Sequence, residues 1–147
     1  MTSIEPNKPM LKVVLDTNVI VSGLNFQKSK PAKILLMVAS GEITNFISNY
    51  ILNETKRVLA NKFFWTREEV ESAEVWLKTF SKSIEPKGHI SIIADDPDNR
   101  ILECGVEGQA DFIISGDHHL TDLENYQRIK IVDPATFLAI ITKLNEE

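Results

Sequence analysis

The sequence predicts an α/β fold, a three-layer α/β/α sandwich around a central parallel sheet. Short strands rich in β-branched residues alternate with amphipathic helical segments along the chain. The strands are continuously apolar, as expected for a sheet that helices cover on both faces. The length of 147 residues is close to that of one domain. We expect a single domain over residues 11–147, preceded by a flexible polar arm over residues 1–10.

The first half of the chain predicts two strands and three helices. Asp16 directly follows the first strand, and Ser48 is expected to cap the second helix. A proline opens the first helix and Gly41 follows its end. A capping box, in which Thr66 and Glu69 lie three residues apart, opens the third helix. The strands cover residues 11–15 and 44–47, and the helices cover residues 31–40, 48–60 and 67–80.

The second half continues the alternation of strands and helices. Asp96 is the expected cap of a helix that ends near Gly108, with Pro97 in its first turn. Asp133 and Pro134 open the closing helix. Strands are predicted over residues 91–94, 111–115 and 129–132.

Charge is unevenly distributed along the chain. The formal net charge is −5, which by itself argues against a phosphate-rich partner. However, residues 24–67 carry seven basic side chains and two acidic ones, whereas residues 88–127 carry nine acidic side chains and one basic one. This pattern fits solvated faces, and it also fits a basic rim beside an acidic centre.

Other features of the composition exclude several classes of protein. No apolar run approaches the roughly 20 residues needed to cross a bilayer, and the first residues lack a signal-peptide pattern. We therefore expect a soluble cytoplasmic protein with no membrane partner. The single cysteine, Cys104, cannot form an internal disulfide or hold a structural zinc ion by itself.

Three acidic residues fall where the parallel strands end, which is where α/β proteins bind ligands. Asp16 ends the first strand, Asp98 begins the helix after residues 91–94, and Asp117 follows the strand at 111–115. Each has a structural alternative as a cap or a turn residue. For Asp98, helical spacing favours a role in the site over a role as a cap. The residue lies on the same helix face as Ile101 and Leu102, which must be buried.

Glu54 lies at the edge of the apolar face of the predicted helix over residues 48–60. If its carboxylate meets those of Asp16, Asp98 and Asp117 in one cleft, the four negative charges repel strongly unless a cation neutralises them. An all-oxygen set favours Mg²⁺ or Mn²⁺. The adjacent His118 and His119 offer zinc ligands, but a histidine pair at a turn is more often simply exposed.

These motifs together resemble those of the PIN-domain family. They are the segment VVLDTNV containing Asp16, the isolated Glu54, Asp98 at a helix start, and DFIISGD ending at Asp117. The resemblance covers about residues 11–140. Within the family, the VapC-like toxins of bacterial toxin–antitoxin pairs are the most similar, and residues 22–35 add to that likeness.

The resemblance implies a Mg²⁺-dependent endoribonuclease that is the toxin of such a pair, with a cognate antitoxin as its partner. Asp16 and Asp98 are then the principal metal ligands, and Glu54 and Asp117 complete the acidic catalytic site. The neighbouring Asp95 and Asp96 leave open which further acid faces the ion. In the second shell, Asn18 and Ser115 are expected to orient the carboxylates. A homodimer is expected for a chain of this size.

If the protein is a ribonuclease, the basic stretch over residues 24–67 is expected to form an RNA-binding rim. The expected RNA-binding side chains are Lys28, Lys30, Lys33, Lys56 and Arg57. The aromatic run over residues 63–65 is expected to be a protein contact rather than a base-stacking surface. The alternative to an enzyme is a non-catalytic PIN-like module that binds RNA or protein, against which the presence of all four acids argues.

Overall fold

The computed structural model describes residues 10–146. All but the last residue of the predicted arm over residues 1–10 therefore lies outside the described part of the chain. Six strands form one sheet: β1 (Leu11–Leu15), β2 (Ile43–Ile47), β3 (Ser81–Ser83), β4 (Phe112–Ile114), β5 (Asn125–Tyr126) and β6 (Ile129–Val132). The helices are α1 (Thr17–Asn25), α2 (Lys30–Ser40), α3 (Asn49–Asn61), α4 (Arg67–Phe80), α5 (Asp96–Gly108), α6 (His118–Thr121) and α7 (Pro134–Asn145).

The sheet has the order β3-β2-β1-β4-β6-β5 and is parallel except for the pairing of β5 with β6. Residues 13–15 of β1 and 112–114 of β4 are all buried. Because successive residues of a strand point to opposite faces, helices must cover both sides of these strands. The predicted three-layer α/β/α arrangement is confirmed.

Most of the residues that were predicted to begin or end a helix do so in the structure. Ser48 accepts a hydrogen bond from the backbone of Ile51 and caps α3, and Thr66 and Glu69 form the reciprocal capping box of α4. Gly41 ends α2 with a φ of 83°, a left-handed conformation that favours glycine. Helix α5 begins at Asp96, one residue earlier than predicted, so Asp95 is its cap residue.

The strand predicted over residues 91–94 is wrong, since these residues lie in an irregular segment that leads into α5. The backbone N–H groups of Ile92 and Ile93 donate to the Asn99 side chain instead of to a neighbouring strand. Strand β3 instead forms the edge of the sheet next to β2, with which it pairs. The sequence did not reveal β3 because its three residues are polar and only partly buried.

Other elements were not predicted from the sequence. Helix α1 follows Asp16 without a break, and the short elements α6 and β5 lie between β4 and β6. Cys104 is completely buried on α5, and burial raises the pKa of its thiol to about 12. Among residues 10–146, no helix has the length and apolarity required to span a membrane.

Candidate active site

A cleft of about 730 Å³ opens at the carboxyl ends of β1 and β4. Its acidic side contains the carboxylates that follow these strands and those at the start of α5. Residues of α3 and of the segment after it also line the cleft. The four acids predicted from the sequence all line this cleft: Asp16, Glu54, Asp98 and Asp117.

Asp16 is held rigidly at the junction of β1 and α1. Its Oδ1 accepts from the backbone N–H of Thr17 at 2.7 Å, and its Oδ2 accepts from the Ser115 hydroxyl at 2.7 Å. The same hydroxyl accepts from the backbone N–H of Asp117 at 2.9 Å. Burial raises the pKa of Asp16, while the bond from Ser115 opposes that shift. Ser115 thus links the carboxylate of Asp16 to the backbone of Asp117.

Asn18 lies on the first turn of α1 and lines the cleft. Its Oδ1 accepts from the backbone N–H of Gly116 at 3.4 Å. This long hydrogen bond joins α1 to the turn that presents Asp117. Asn18 is therefore positioned to orient that turn, and no hydrogen bond connects it to a carboxylate.

Asp98 is buried in the first turn of α5, with 5% of its surface exposed. Its Oδ2 atom is buried and has no hydrogen-bond partner among residues 10–146. Burial raises the pKa of Asp98 to about 6, and the negative charges of Asp117, Asp16 and Asp95 add to the shift. The helix face predicted from its spacing with Ile101 and Leu102 places the carboxylate at the base of the cleft.

The carboxylates of Asp95, Asp98 and Asp117 and one nitrogen of His119 all lie within 4.8 Å of one another. We call these four residues the donor cluster. The sequence left the contribution of Asp95 open and did not favour His119. Asp95 has no periodic signal because it precedes α5, and His119 lies in the short helix α6, which the sequence did not predict.

Glu54 lines the same cleft and, like Asp16, is not part of the donor cluster. Its carboxylate accepts from the Arg57 side chain, with 3.0 Å between Glu54 Oε1 and Arg57 Nε. Tyr50, one turn earlier on α3, also lines the cleft, and burial together with the charge of Glu54 raises its pKa. All four predicted acids thus line one cleft, and two of them, Asp98 and Asp117, also belong to the donor cluster.

Of the five basic residues predicted to bind RNA, Arg57 lines the cleft. Lys56 instead pairs with Glu74 on α4 at 2.8 Å. The other three, Lys28, Lys30 and Lys33, are not among the residues that line the cleft. Lys62 does line it, although the sequence did not single out that residue.

The aromatic run over residues 63–65 divides into three different environments. Phe63 lines the cleft, and Trp65 packs against a small cluster around Leu59 while its Nε1 donates to Asn25 at 2.9 Å. Phe64 is 83% exposed and has a φ of 58°, which is uncommon for a bulky residue. One member of the run is therefore available for an external contact.

The acidic side of the cleft fits a divalent cation. Carboxylate oxygens are suitable ligands for Mg²⁺ and Mn²⁺. A buried carboxylate oxygen without a hydrogen-bond partner is costly unless a cation or a proton neutralises it. Asp98 Oδ2 has this property, and the charges that raise the pKa of Asp98 come from Asp117, Asp16 and Asp95.

Comparisons with known proteins agree with this fold. The family model described as "PIN domain" matches residues 12–119. MJ1680, an uncharacterized protein of Methanocaldococcus jannaschii, is 27% identical over 143 residues, covering 89% of this chain and 92% of that protein. A chain in the crystal structure of VapBC2 from Rickettsia felis, bound to a DNA fragment from its promoter, superimposes with a TM-score of 0.59. The two chains are 14% identical, and the match covers 84% of this chain and 98% of the other.

Proposed function

The chain belongs to the PIN-domain family, and from this premise we propose that it is a divalent-metal-dependent endoribonuclease and the toxin of a toxin–antitoxin pair. The observation that carries the proposal is the buried Asp98 Oδ2, which has no hydrogen-bond partner and lies among other carboxylates. A structural role for Asp98 does not account for this arrangement, because a stabilising buried carboxylate is hydrogen-bonded or paired with a positive charge.

Asp16, Asp98 and Asp117 are the proposed metal ligands, with Asp95 beside them. When bound, Mg²⁺ or Mn²⁺ would supply an acidified water and neutralise charge on the scissile phosphate. Ser115 donates a hydrogen bond from its hydroxyl to Asp16, and this bond favours the observed orientation of the carboxylate. Asn18 holds the turn that carries Asp117.

Glu54 is proposed to act from the α3 side of the cleft as the acceptor of the proton that the attacking water loses. Asp117 is the alternative acceptor. In-line attack by water breaks the bond from phosphorus to the 3′ oxygen, which leaves a 3′-hydroxyl and a 5′-phosphate. The RNA 2′-hydroxyl takes no part in this reaction.

Arg57 and Lys62 are proposed to bind the phosphates of RNA that flank the scissile bond. Both line the same cleft as the acids, and positively charged side chains attract the phosphates of RNA. The three lysines between residues 28 and 33 are proposed to contribute only outside the cleft.

A protein partner is proposed on two grounds. VapBC2, whose fold this chain shares, is a two-component complex by its name. In addition, Phe64 and Phe26 expose 83% and 55% of their surfaces near the cleft residue Phe63, and Phe26 meets Phe63 edge to face. Exposed aromatic side chains are typical of protein interfaces. We propose that an antitoxin covers them and that the toxin itself is a homodimer.

RNA cleavage by the wild type and by Asp16→Asn in the presence of Mg²⁺ tests the enzymatic proposal. Asparagine caps a helix as well as aspartate does, so the variant should fold normally. We expect cleavage by the wild type and at least about a hundredfold slower cleavage by the variant, as for loss of a group that stabilises developing charge. The products of the wild type should carry 5′-phosphate and 3′-hydroxyl ends.

The matched control is Asp122→Asn, which makes the same change at an exposed residue outside the cleft and should retain full activity. Equal cleavage by the wild type and Asp16→Asn would reject the proposed site. A 2′,3′-cyclic phosphate product would reject the mechanism, and absence of cleavage together with RNA binding would favour a non-catalytic RNA-binding module.

A further inference from the structure

His119 brings a nitrogen atom to a group of ligands that the sequence predicts to be entirely oxygen. One of its ring nitrogens lies within 4.8 Å of the carboxylate oxygens of Asp95, Asp98 and Asp117. Ligand atoms on opposite sides of a small divalent ion lie about 4.2 Å apart. Small side-chain rotations are therefore enough to bring all four atoms of the donor cluster to one ion.

The buried state of Asp98 is an independent sign that the donor cluster binds a cation. Its Oδ2 lacks any hydrogen-bond partner, although 95% of the residue's surface is covered. The other buried acid of the cleft, Asp16, differs in this respect, because both of its oxygens already accept hydrogen bonds. Asp98 thus belongs to the donor cluster and has a buried oxygen that no hydrogen bond within residues 10–146 occupies.

Both histidines have a ring nitrogen within 4.8 Å of an Asp117 carboxylate oxygen, but the group that includes the buried Asp98 contains His119 and not His118. The backbone N–H of His119 donates to Asp117 Oδ1 at 2.9 Å, and His119 Nδ1 lies 3.2 Å from the same oxygen. His118 Nδ1 is 4.0 Å from that oxygen, and its side chain is 74% exposed, compared with 55% for His119. The charge of His119 also acts on Asp98, where it partly opposes the rise in pKa that burial and the neighbouring acids cause.

We propose that His119 is a nitrogen ligand of the catalytic metal and that this ligand makes the site prefer Mn²⁺ to Mg²⁺. The inference rests on the proposed function for the existence of a metal site, and it adds the identity of one ligand and the selectivity. Mg²⁺ strongly favours oxygen ligands, whereas imidazole is a good ligand for transition-metal ions. Imidazole binds a metal ion in its neutral form, through a ring nitrogen.

Titration calorimetry with MnCl₂ and with MgCl₂, each without RNA, tests the proposal on the wild type, His119→Ala and His118→Ala. We expect His119→Ala to lose at least about tenfold in Mn²⁺ affinity, since even residues that only support metal ligands cost that much when removed. Its Mg²⁺ affinity should change much less. His118→Ala should match the wild type with both ions.

Pulsed electron paramagnetic resonance of bound Mn²⁺ supplies a readout that affinity does not. The wild type and His118→Ala should show hyperfine coupling to a directly bound ¹⁴N nucleus, and His119→Ala should lack it. The proposal is overturned if the wild-type spectrum has no nitrogen coupling, if His119→Ala retains the coupling, or if both histidine variants lose equal Mn²⁺ affinity.

The outcome is separable from that of the proposed nuclease function. Nitrogen coupling that disappears in His119→Ala, in a protein that cleaves no RNA, would support the ligand and reject the activity. RNA cleavage by a protein whose bound Mn²⁺ has no nitrogen ligand would reject the role of His119 and leave the nuclease proposal intact.

Discussion

Helix α5 buries two adjacent polar side chains that differ in their hydrogen bonding. Asn99 is 1% exposed, and its amide makes four hydrogen bonds, to the backbone of Ile92 and Ile93 and to the side chain of Asp96. Asp98 is 5% exposed, and its Oδ2 has no partner. The two residues share a helix turn, so the difference comes from what each one faces.

Glu103, further along α5, resembles Asn99 rather than Asp98. It is 8% exposed, and its Oε2 accepts from the backbone N–H of Ile90 at 2.8 Å and lies 3.1 Å from the Arg100 guanidinium. Together Asn99 and Glu103 fasten residues 90–93 to the side of the helix. Burying a polar group is tolerable when it is hydrogen-bonded and costly when it is not. Asn99 and Glu103 therefore have a structural role, whereas the unpartnered oxygen of Asp98 supports the metal-binding role proposed above.

Asp98→Asn should produce the largest effect. Without the charge of Asp98 we expect RNA cleavage to fall by at least about a hundredfold, as for loss of a group that stabilises developing charge. The metal-free protein should become more stable by about 1 kcal/mol, the usual gain when a functional residue is replaced by a better-tolerated one. Urea unfolding in EDTA measures the stability, and repeating it with MnCl₂ should show no metal stabilisation of the variant.

A variant that is both inactive and less stable than the wild type in EDTA would contradict this reading, because it would make Asp98 a structural residue. Glu103→Gln is the matched control on the same helix. It removes a charge that has partners, so it should lower stability and leave the metal-induced stabilisation in place.

Asn99→Ala should have the next largest effect, on stability. The substitution leaves the backbone N–H groups of Ile92 and Ile93 without their acceptor, and we expect a loss of about 2 kcal/mol in the free energy of unfolding. Urea unfolding measures this loss. The segment before α5 also carries Asp95, so Mn²⁺ affinity should fall as well.

Asn99→Asp tests the contribution of the amide oxygen apart from that of the amide nitrogen. It keeps an oxygen acceptor for Ile92 and Ile93 and loses the donor to Ile93 and Asp96. Its stability should lie between those of the wild type and Asn99→Ala. Wild-type stability in both variants would show that these hydrogen bonds do not anchor the segment.

The pH dependence of the metal-free protein should show a smaller effect. Burial raises the pKa of Asp98 from 3.8 to about 6, so the folded protein keeps a proton that the unfolded chain has released in this interval. Stability should therefore fall as the pH rises from about 4 to about 6. Asp16, whose pKa is also raised, contributes in the same direction. Urea unfolding in EDTA at several pH values should give a smaller fall for Asp98→Asn, and an identical fall in both proteins would contradict the assignment.

Much of the fold follows from local patterns. Capping residues and apolar periodicity predicted α2, α3, α4, α5 and α7 within one or two residues, because these signals act between neighbours in the chain. The error at residues 91–94 has a physical reason. Ile92 and Ile93 form an apolar run typical of a strand, but a side chain on α5 takes their hydrogen bonds, and no local pattern reveals such a partner.

Some features of the candidate site could also be predicted from local patterns, and others could not. Helical spacing predicted the burial of Asp98, and the end of a strand predicted the position of Asp16. That Glu54 lines the cleft without joining the donor cluster depends on the packing of α3, which no local pattern predicts. The approach of His119 depends on the turn after β4, which only the three-dimensional structure defines.

Crystals of the wild type soaked in MnCl₂ and measured at the manganese absorption edge test the central claim most directly. We predict an anomalous peak in the cleft, at bonding distance from Asp98 Oδ2 and adjacent to Asp117. A cleft without a peak at a saturating Mn²⁺ concentration, or a peak from which Asp98 points away, would contradict the claim that this unpartnered carboxylate is kept to bind a metal ion.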